Sequence, residues 1–383
     1  MAQTLGLDGL YDVEKEMDVM SNNLEHGLNL LKFALGGHRP NIGPISAMWD
    51  ITYQCNLRCK FCKRWENPKR EEQLTFEEEK RIINELAEAR VVHLSLSGGE
   101  PFLRKDIFDF ISFAKEKRLK VSINTNATLI DQEMAKRIVK SGLDMLYLSL
   151  DGAEEATHNL IRNSPNAFKK VMDGIENLRQ SRVNSKPKIL INTTLSDHNV
   201  GELVGIADIC LRKELDGLTF QIVHNLDDMS FVHEKGPPLT DISLTLLEEE
   251  IKVLKKNYQR ILPHMDEYFD RFRTFAKSPK ELYQYRCAAG FATVQIQPNG
   301  DIFPCPAAYT KMGNLREANF KEIFYSKHSD KIRQKIKQGK HPICWFTCMG
   351  PMNVTLSYFH PLRIHKLLLD KELLRHIRGK IWE

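Results

Sequence analysis

Residues 47–62 read AMWDITYQCNLRCKFC, an apolar run followed at once by a loop with three cysteines. The run Ala47–Tyr53 predicts a buried β-strand. Cys55, Cys59 and Cys62 then lie together directly after that strand. In parallel α/β barrels the active site is built at the carboxyl ends of the strands. This loop is therefore the first candidate for a functional site.

Short strand-like runs alternate with amphipathic helical runs along the chain from Ser46, a pattern typical of βα units around a parallel sheet. Thr75 with Glu78 forms a capping box, and Asp131 is a second helix N-cap. Six units are too few for an eight-stranded barrel, so we expect an α/β fold with a partial (β/α)6 TIM-like barrel. The predicted strands are Ala47–Tyr53, Val92–Ser97, Val121–Asn124, Leu146–Leu150, Ile189–Thr194 and Leu218–Val223.

The pattern changes near Cys287, where a small C-terminal α+β domain of a β-hairpin plus helices is predicted. Its hairpin joins Ala292–Gln297 to Asp301–Cys305, because Asn299-Gly300 supplies the positive φ angles of a tight turn. The expected domains are an N-terminal helical extension (1–45), the barrel (46–260), a helical linker (261–286), the small domain (287–357) and a basic amphipathic C-terminal helix (358–383).

Composition and charge exclude several classes of protein. The 383 residues are 42% apolar and 27% charged, which excludes a disordered or fibrous chain. A net charge of +5 over a chain of this length does not indicate a nucleic-acid partner. Residues 1–20 are acidic where a secretory signal would be basic and then apolar, and no apolar run approaches the roughly 18 residues needed to cross a bilayer. We expect a cytoplasmic protein.

Three thiolates can hold a metal or cluster and leave one coordination position open for chemistry. Structural zinc sites normally close with four ligands, whereas iron–sulfur clusters favour thiolates. In a reducing compartment, metal binding or catalysis is also a more common use of cysteine than a disulfide. A zinc knuckle with a fourth ligand from elsewhere is the alternative.

The segment Cys55–Cys62, with Phe61 before the third cysteine, resembles the signature of the radical S-adenosylmethionine (SAM) superfamily. Residues 97–101, Ser-Gly-Gly-Glu-Pro, follow the second predicted strand and are similar to the GGEP motif of that family. The simpler alternative for the glycine pair is an ordinary turn. Two independent motifs in the family's order make the resemblance specific.

The resemblance implies a 4Fe-4S cluster bound by Cys55, Cys59 and Cys62, with SAM chelating the remaining iron. It also implies an external one-electron donor of the flavodoxin or ferredoxin type. Glycines let the backbone approach a ligand closely, and a carboxylate accepts hydrogen bonds from an ammonium group. The implied SAM contacts are Phe61 for the adenine, and Gly98, Gly99, Glu100 and Pro101 for the methionyl amino group.

Four polar residues at or after strand ends are further candidates for SAM contacts: Asn124, Ser149, Arg162 and Asn192. Arg162 stands where similar enzymes place a residue that holds the SAM carboxylate, a task suited to the two parallel donors of a guanidinium. Asn192 would reach the ribose hydroxyls. For Asn124, Ser149 and Asn192, strand-end capping or turn chemistry is an equal alternative.

A second group of cysteines is similar to the auxiliary-cluster domain of the SPASM and twitch subgroups. A complete SPASM domain holds two clusters with seven cysteines, so the count here fits one fully ligated auxiliary 4Fe-4S cluster. A zinc ribbon with four cysteine ligands is the alternative. Cys210 lies on an apolar helix face and is predicted to be a core residue. The auxiliary ligands are Cys287, Cys305, Cys344 and Cys348.

The resemblance implies reductive cleavage of SAM to a 5′-deoxyadenosyl radical that abstracts hydrogen from an unactivated C–H bond. The auxiliary cluster would accept an electron, for a net oxidation or bond-forming modification. The segment before the barrel is shorter than the peptide-recognition domain of many peptide-modifying relatives, which favours a small-molecule or lipid-like substrate. The alternatives are a peptide-modifying maturase, and a non-catalytic iron–sulfur or zinc scaffold for electron transfer at a membrane surface.

Two segments offer further hints. Polar residues after the sixth predicted strand could meet substrate, and His224 or an aspartate could move a proton, although such loop residues are usually only solvated. The C-terminal residues 358–383 read as a basic amphipathic helix that lies on a membrane surface or docks on its own domain. The loop residues are Gln221, His224, Asn225, Asp227, Asp228 and His233.

Overall fold

The computed structural model describes residues 22–62, 64–66, 72–224, 239–264, 266–308, 310–360 and 363. Within these ranges, nine strands form one sheet in the order β6-β5-β4-β3-β2-β1-β7-β8-β9. The strands are β1 Ser46–Asp50, β2 His93–Ser97, β3 Lys120–Thr125, β4 Met145–Ser149, β5 Lys188–Leu195, β6 Gly217–Ile222, β7 Thr293–Ile296, β8 Asp301–Phe303 and β9 Gly313–Asn314.

Strands β1 to β6 all pair in parallel with their sequence neighbours. This confirms the partial TIM-like barrel and all six predicted strands, each within one to three residues of its predicted ends. The parallel order places the carboxyl ends of six strands at one edge, where the cysteine loop begins after Asp50.

Helices connect the strands and cover the sheet. The capping box of Thr75 and Glu78 is confirmed, and Asp131 caps its helix by accepting a hydrogen bond from the backbone N–H of Met134 over 2.8 Å. The helices are α1 over 22–34, α2 Phe76–Glu88, α3 Ile107–Glu116, α4 Gln132–Lys140, α5 Glu155–Arg162, α6 Ala167–Ser181, α7 Leu203–Arg212, α8 Asp241–Asn257, α9 Asp266–Asp270, α10 Phe272–Lys277, α11 Phe320–Phe324, α12 Lys327–Lys337 and α13 Gly350–Ser357.

The predicted hairpin is present as β7 and β8, with Gly300 at φ +85° in its turn. It does not form a sheet of its own. Strand β7 pairs in parallel with β1, with Ser46 opposite Thr293, so the hairpin extends the barrel sheet beyond its first strand. Local sequence patterns could not show this, because the paired residues lie far apart in the chain. The domain boundaries given above stay predictions.

The core surrounds the sheet. Trp49 of β1 is fully buried and meets Phe110 of α3 edge to face at 5.4 Å between ring centroids. Cys210 is also fully buried, and its thiol donates to the carbonyl of Gly217 over 3.5 Å. Its predicted position in the core is confirmed.

Among the described helices, none combines the length and the apolar character that a membrane span requires. Residues 1–21 of the N-terminal extension lie outside the described residues, as does almost all of the predicted C-terminal amphipathic helix beyond His360.

Candidate functional site

Three cysteines share the loop that follows β1. Cys59 is buried, and Cys55 and Cys62 are half-buried. Burial raises the pKa of Cys62 to about 12, and repulsion from the other two cysteines acts in the same direction. Such thiols stay protonated until a metal binds, because coordination stabilises the thiolate form. The donor set therefore fits an iron–sulfur cluster with three protein ligands.

Contacts at the base and in the middle of this loop hold it in place. At its base, Asp50 at the end of β1 forms an ion pair with Arg64 beyond the third cysteine. In its middle, the backbone N–H of Lys60 donates to the carbonyl of Ile161 in α5 over 3.0 Å. The loop is thereby tied to the helix after β4 as well as to its own strand.

The glycine pair after β2 packs directly on the start of the cysteine loop. Gly99 donates its N–H to the carbonyl of Thr52, and Glu100 donates to that of Gln54, both over 2.7 Å. A Cβ on Gly99 would lie 1.9 Å from the carbonyl oxygen of Gln54, and Gly98 has φ +120°. Since no side chain fits here, the pair is more than an ordinary turn.

Glu100 is fully buried. Its carboxylate accepts hydrogen bonds from the Thr125 hydroxyl over 2.7 Å and from the backbone N–H groups of Asn126 over 2.8 Å and Phe102 over 3.1 Å. The side chain thus joins the ends of β2 and β3, and Pro101 starts a short 3-10 helix behind it. Because an ammonium group only donates and the Glu100 carboxylate already accepts three hydrogen bonds, the segment would meet an ammonium group through backbone carbonyls.

Arg162, at the end of α5, reaches the cysteine loop. Its Nη1 donates to the Sγ of Cys59 over 3.7 Å, and its guanidinium lies 5.5 Å from the ring centroid of Phe61. Its Nη2 pairs with the Oδ2 of Asp151 at 2.6 Å. The Nε is buried and has no hydrogen-bond partner within the described residues. An unsatisfied buried donor is costly, so an acceptor such as a carboxylate fits this position.

Asp151 is itself held from several sides, although the sequence analysis did not single it out. Its carboxylate accepts from the backbone N–H of Thr194 over 2.9 Å, and its own N–H donates to Nδ1 of His158 over 3.1 Å. Burial lowers the pKa of His158 to about 3, so the ring is a neutral acceptor. Asn199 donates to the carbonyl of Asp151 over 2.7 Å. Asp151 is therefore a rigid anchor for Arg162.

Of the three remaining candidates, Asn124 and Ser149 lie at the carboxyl ends of β3 and β4, and Asn192 lies within β5. Ser149 and Asn192 are register partners on β4 and β5, and Asn192 accepts from the Thr219 hydroxyl over 3.1 Å. Asn124 donates to the Ser95 hydroxyl over 3.3 Å. All three are half-buried. These cross-strand bonds agree with the capping alternative, and their contacts with SAM stay predictions.

Asn126 is a site residue that the sequence analysis missed. Its amide Nδ2 donates to the Oδ1 of Asn56 over 2.9 Å and reaches the Sγ of Cys55 at 4.0 Å. Its Oδ1 accepts from the Thr128 hydroxyl over 2.6 Å, which fixes the amide orientation. The signal in the sequence was the polar run Asn124–Thr128 at a strand end.

We expect Asn126→Ala to lower the reduction potential of the cluster that Cys55 helps to bind. A donor to a ligand sulfur stabilises the added negative charge of the reduced cluster, and loss of such a partner typically costs about tenfold in activity. Redox titration followed by electron paramagnetic resonance measures the potential. Asn56→Ala is the matched control, because it leaves the Asn126 amide beside Cys55. An unchanged potential in Asn126→Ala would refute the interaction.

The second group of cysteines also converges. Besides burial, repulsion from the other three cysteines raises the pKa of Cys344, so all four thiols are neighbours. Among the described residues, no group of three or more His, Cys, Asp or Glu side chains has the geometry of a metal-ion site. Four cysteines are the ligand set of a fully coordinated 4Fe-4S cluster. Cys287 precedes β7, Cys305 follows β8, and Cys344 and Cys348 share the loop before α13.

Two residues at the end of β6 clamp the loop of Cys344 and Cys348. His224 accepts the backbone N–H of Trp345 at Nε2 over 2.7 Å, and its Nδ1 bonds the carbonyl of Ile222 over 2.7 Å. Gln221 accepts both the N–H and the hydroxyl of Thr347 over 3.1 and 3.2 Å. Both ring nitrogens of His224 are used and burial lowers its pKa to about 3. The expected proton transfer by His224 is therefore wrong.

We expect His224→Gln to destabilise the protein by about 1–3 kcal/mol at neutral pH, because the Trp345 N–H loses a rigid acceptor. Below pH 6.5 the unfolded state binds a proton at this histidine that the folded state does not. The advantage of the wild type should then shrink on acidification, by up to about 1.4 kcal/mol per pH unit. Urea midpoints from pulse proteolysis measure both effects. A pH-independent difference would contradict this assignment.

Four other candidates near β6 lie outside the described residues, because the segment 225–238 is not described. They are Asn225, Asp227, Asp228 and His233. Their contact with substrate stays a prediction.

Comparison with protein families gives two matches that coincide with the two cysteine groups. The radical SAM superfamily model matches residues 49–210, and the SPASM model, described as an iron-sulfur cluster-binding domain, matches residues 287–349. The chain belongs to the radical SAM superfamily. It thus binds a 4Fe-4S cluster and SAM, and its SPASM domain binds further iron–sulfur cofactor. This finding sets aside both zinc alternatives.

Three similar proteins illustrate the range of this group. An AdoMet-dependent heme synthase of Nitratidesulfovibrio vulgaris is 31% identical over 75% of this chain and 79% of its own length. A PqqA peptide cyclase of Bradyrhizobium diazoefficiens is 24% identical over 70% of this chain and 68% of its own length. Streptococcus suis SuiB bound to the precursor peptide SuiA has a TM-score of 0.60 at 19% identity, covering 87% and 74% of the two chains.

The names of these relatives include both a haem synthase and a peptide cyclase. The preference for a small molecule over a peptide, drawn from the length of the N-terminal segment, is therefore not supported by them. The SuiB likeness concerns the fold alone.

Proposed function

We propose that the protein abstracts a hydrogen atom from a substrate C–H bond with a 5′-deoxyadenosyl radical generated from SAM, for a net oxidation. The supporting observation is the convergence of Cys59, Phe61 and Arg162, whose buried Nε has no acceptor among the described residues. Three elements contribute to this point: the loop after β1, the segment after β2 and the end of α5.

Different residues of the chain bind different groups of SAM. Cys55, Cys59 and Cys62 hold the cluster, which supplies one electron to cleave the C–S bond of SAM into methionine and the radical. Arg162 accepts no hydrogen bonds and stays charged, so it binds the carboxylate of the methionyl group while Asp151 fixes its direction. Carbonyls of the Gly98–Glu100 segment receive the ammonium group.

Positioning matters more here than acid or base catalysis. A radical reacts with whatever bond lies nearest, so the site must hold the substrate C–H bond against it and exclude solvent. The buried ends of β2 and β3, joined by Glu100, and the rigid Asp151 anchor supply the immobile walls for this task. Ser149, Asn124 and Asn192 extend the same edge toward the adenosine.

Cys287, Cys305, Cys344 and Cys348 would hold one auxiliary cluster, which would supply one-electron acceptance. The protein contribution is the clamp from His224 and Gln221, which keeps two of the four ligands at the end of β6. A cluster fixed at the strand end where substrate is expected suits removal of an electron from a substrate radical.

Two variants and one control test this proposal against a scaffold without catalysis. Cys59→Ala should abolish formation of 5′-deoxyadenosine from SAM and dithionite, because the catalytic cluster loses a ligand. Cys305→Ala should keep some uncoupled cleavage, and each variant should lose about half of the iron. Cys210→Ala is the control, since that thiol lies in the core. Cleavage of SAM by Cys59→Ala would overturn the assignment of the catalytic site, and unaltered iron in Cys305→Ala would exclude the auxiliary cluster.

For the substrate we propose a small molecule of the tetrapyrrole class. The support is the haem synthase relative, which is more similar to this chain than the peptide cyclase, at 31% against 24% identity. A peptide substrate is the second candidate, supported by the peptide cyclase.

Haem is the probe that separates these two candidates. We expect the reconstituted enzyme to bind haem with a shifted visible absorbance and to protect it from extraction by apomyoglobin. An enzyme without the SAM cluster, Cys59→Ala, should still bind it, since the tetrapyrrole meets the barrel and not the cluster ligand. Failure of both proteins to bind haem would exclude the tetrapyrrole class and favour the peptide.

A further inference from the structure

The surface beside Cys287 is unusually basic. Residues 327–340 contain six Lys or Arg and a single acid, Asp330. That acid is already paired twice, with Arg39 at 2.9 Å and with Arg333 at 2.8 Å. The overall charge of the chain is nearly balanced, so this concentration is local.

A row of lysines on α12 adds to this charge. Lys327, Lys331 and Lys335 are spaced four residues apart, all are exposed, and none has an ion-pair partner within the described residues. Like charges at this spacing destabilise a helix by a few tenths of a kcal/mol per pair. A cost of this kind is compensated when a negatively charged partner covers the row.

The opposite flank of α12 lines a pocket whose wall includes a cluster ligand. Cys287, which is half-buried, shares this pocket with Phe33, Arg286, Arg333 and Lys337. Every ionisable group in the wall other than the thiol is basic. His38 lies at the same wall, and its pKa is lowered by burial and by repulsion from Lys337, Arg39 and Arg286.

We propose that α12 and the rim of this pocket form the docking face for an acidic one-electron carrier protein. Positive charge around the accessible edge of a redox centre recruits a partner of opposite charge and steers its approach. Electron-transfer proteins form transient complexes with small interfaces. A single helix and a pocket rim offer enough surface for such an interface. We call residues 327–340 with His38 and Arg39 the carrier face.

The inference rests on the proposed function, because net oxidation leaves one electron on the auxiliary cluster in each turnover. At the carrier face that cluster loses one electron, and the oxidised flavin or iron–sulfur group of the carrier gains it. No bond forms or breaks in this step. Cys287 is the proposed cluster ligand that lies in the wall of the pocket beside the face.

Binding of an oxidised flavodoxin to the reconstituted enzyme, measured by isothermal titration calorimetry at low and high salt, tests the face. We expect Lys331→Glu with Lys335→Glu to weaken binding by about tenfold or more at low salt. The neutral pair Lys331→Gln with Lys335→Gln should give an intermediate loss. High salt should remove the difference between variants, because exposed charges are screened.

The matched control changes the same total charge elsewhere. Lys169→Glu with Lys170→Glu alters two exposed lysines of α6 and should leave the affinity unchanged. Equal weakening in this control, or full affinity in the α12 variant, would overturn the proposal. Loss of binding to anionic vesicles by the α12 variant, with flavodoxin binding intact, would also overturn it and identify the face as a membrane contact.

Dithionite separates this inference from the proposed function. It is a small reductant that needs no docking face, so the α12 variant should form 5′-deoxyadenosine from SAM and dithionite at the wild-type rate and keep its iron. Wild-type protein that binds flavodoxin through α12 but forms no 5′-deoxyadenosine would refute the proposed function and leave the face established.

Discussion

The backbone contact between Gly99 and Gln54 sets the geometry on which the site depends. Two hydrogen bonds of 2.7 Å join residues 99 and 100 to residues 52 and 54, and a Cβ at Gly99 would lie 1.9 Å from a carbonyl oxygen. The cluster loop and the SAM segment belong to different strands, yet a chelated ligand must meet both at fixed distances. Backbone pairing achieves this without relying on mobile side chains, which is why the position tolerates only glycine.

Strand β1 relates the second cysteine group to the first. It carries the catalytic loop at its end and pairs with β7, whose hairpin is flanked by Cys287 and Cys305. The other two ligands, Cys344 and Cys348, are held at β6 by His224 and Gln221. The four cysteines proposed as ligands of the auxiliary cluster therefore come from the β7 side of the sheet and from a loop held at its β6 edge.

The strands and helix caps could be predicted from the sequence. The remaining features of the fold and the site depend on tertiary contacts, which local sequence patterns do not show. Local periodicity predicted the six strands, because burial dictates such patterns, and the residue types Thr75, Glu78 and Asp131 predicted the helix caps. Pairing of β7 with β1 leaves no local signal. The sequence suggested that His224 is a loop residue that could transfer a proton. In the structure its ring is buried and accepts a hydrogen bond from the backbone N–H of Trp345. Asn126 and Asp151 act through a sulfur and a guanidinium that only folding brings near.

Charge balance explains why Asp151 accompanies Arg162. A guanidinium buried alone would be costly. Within the part of the chain that the structure describes, its hydrogen-bond and ion-pair partners are Cys59 and Asp151. The carboxylate of Asp151 compensates the charge but bonds only one edge of the guanidinium, and Nε is left without an acceptor. In the proposed SAM complex, a ligand carboxylate completes that set without displacing the anchor. The site is thus organised before SAM arrives, and binding energy need not be spent on ordering the arginine.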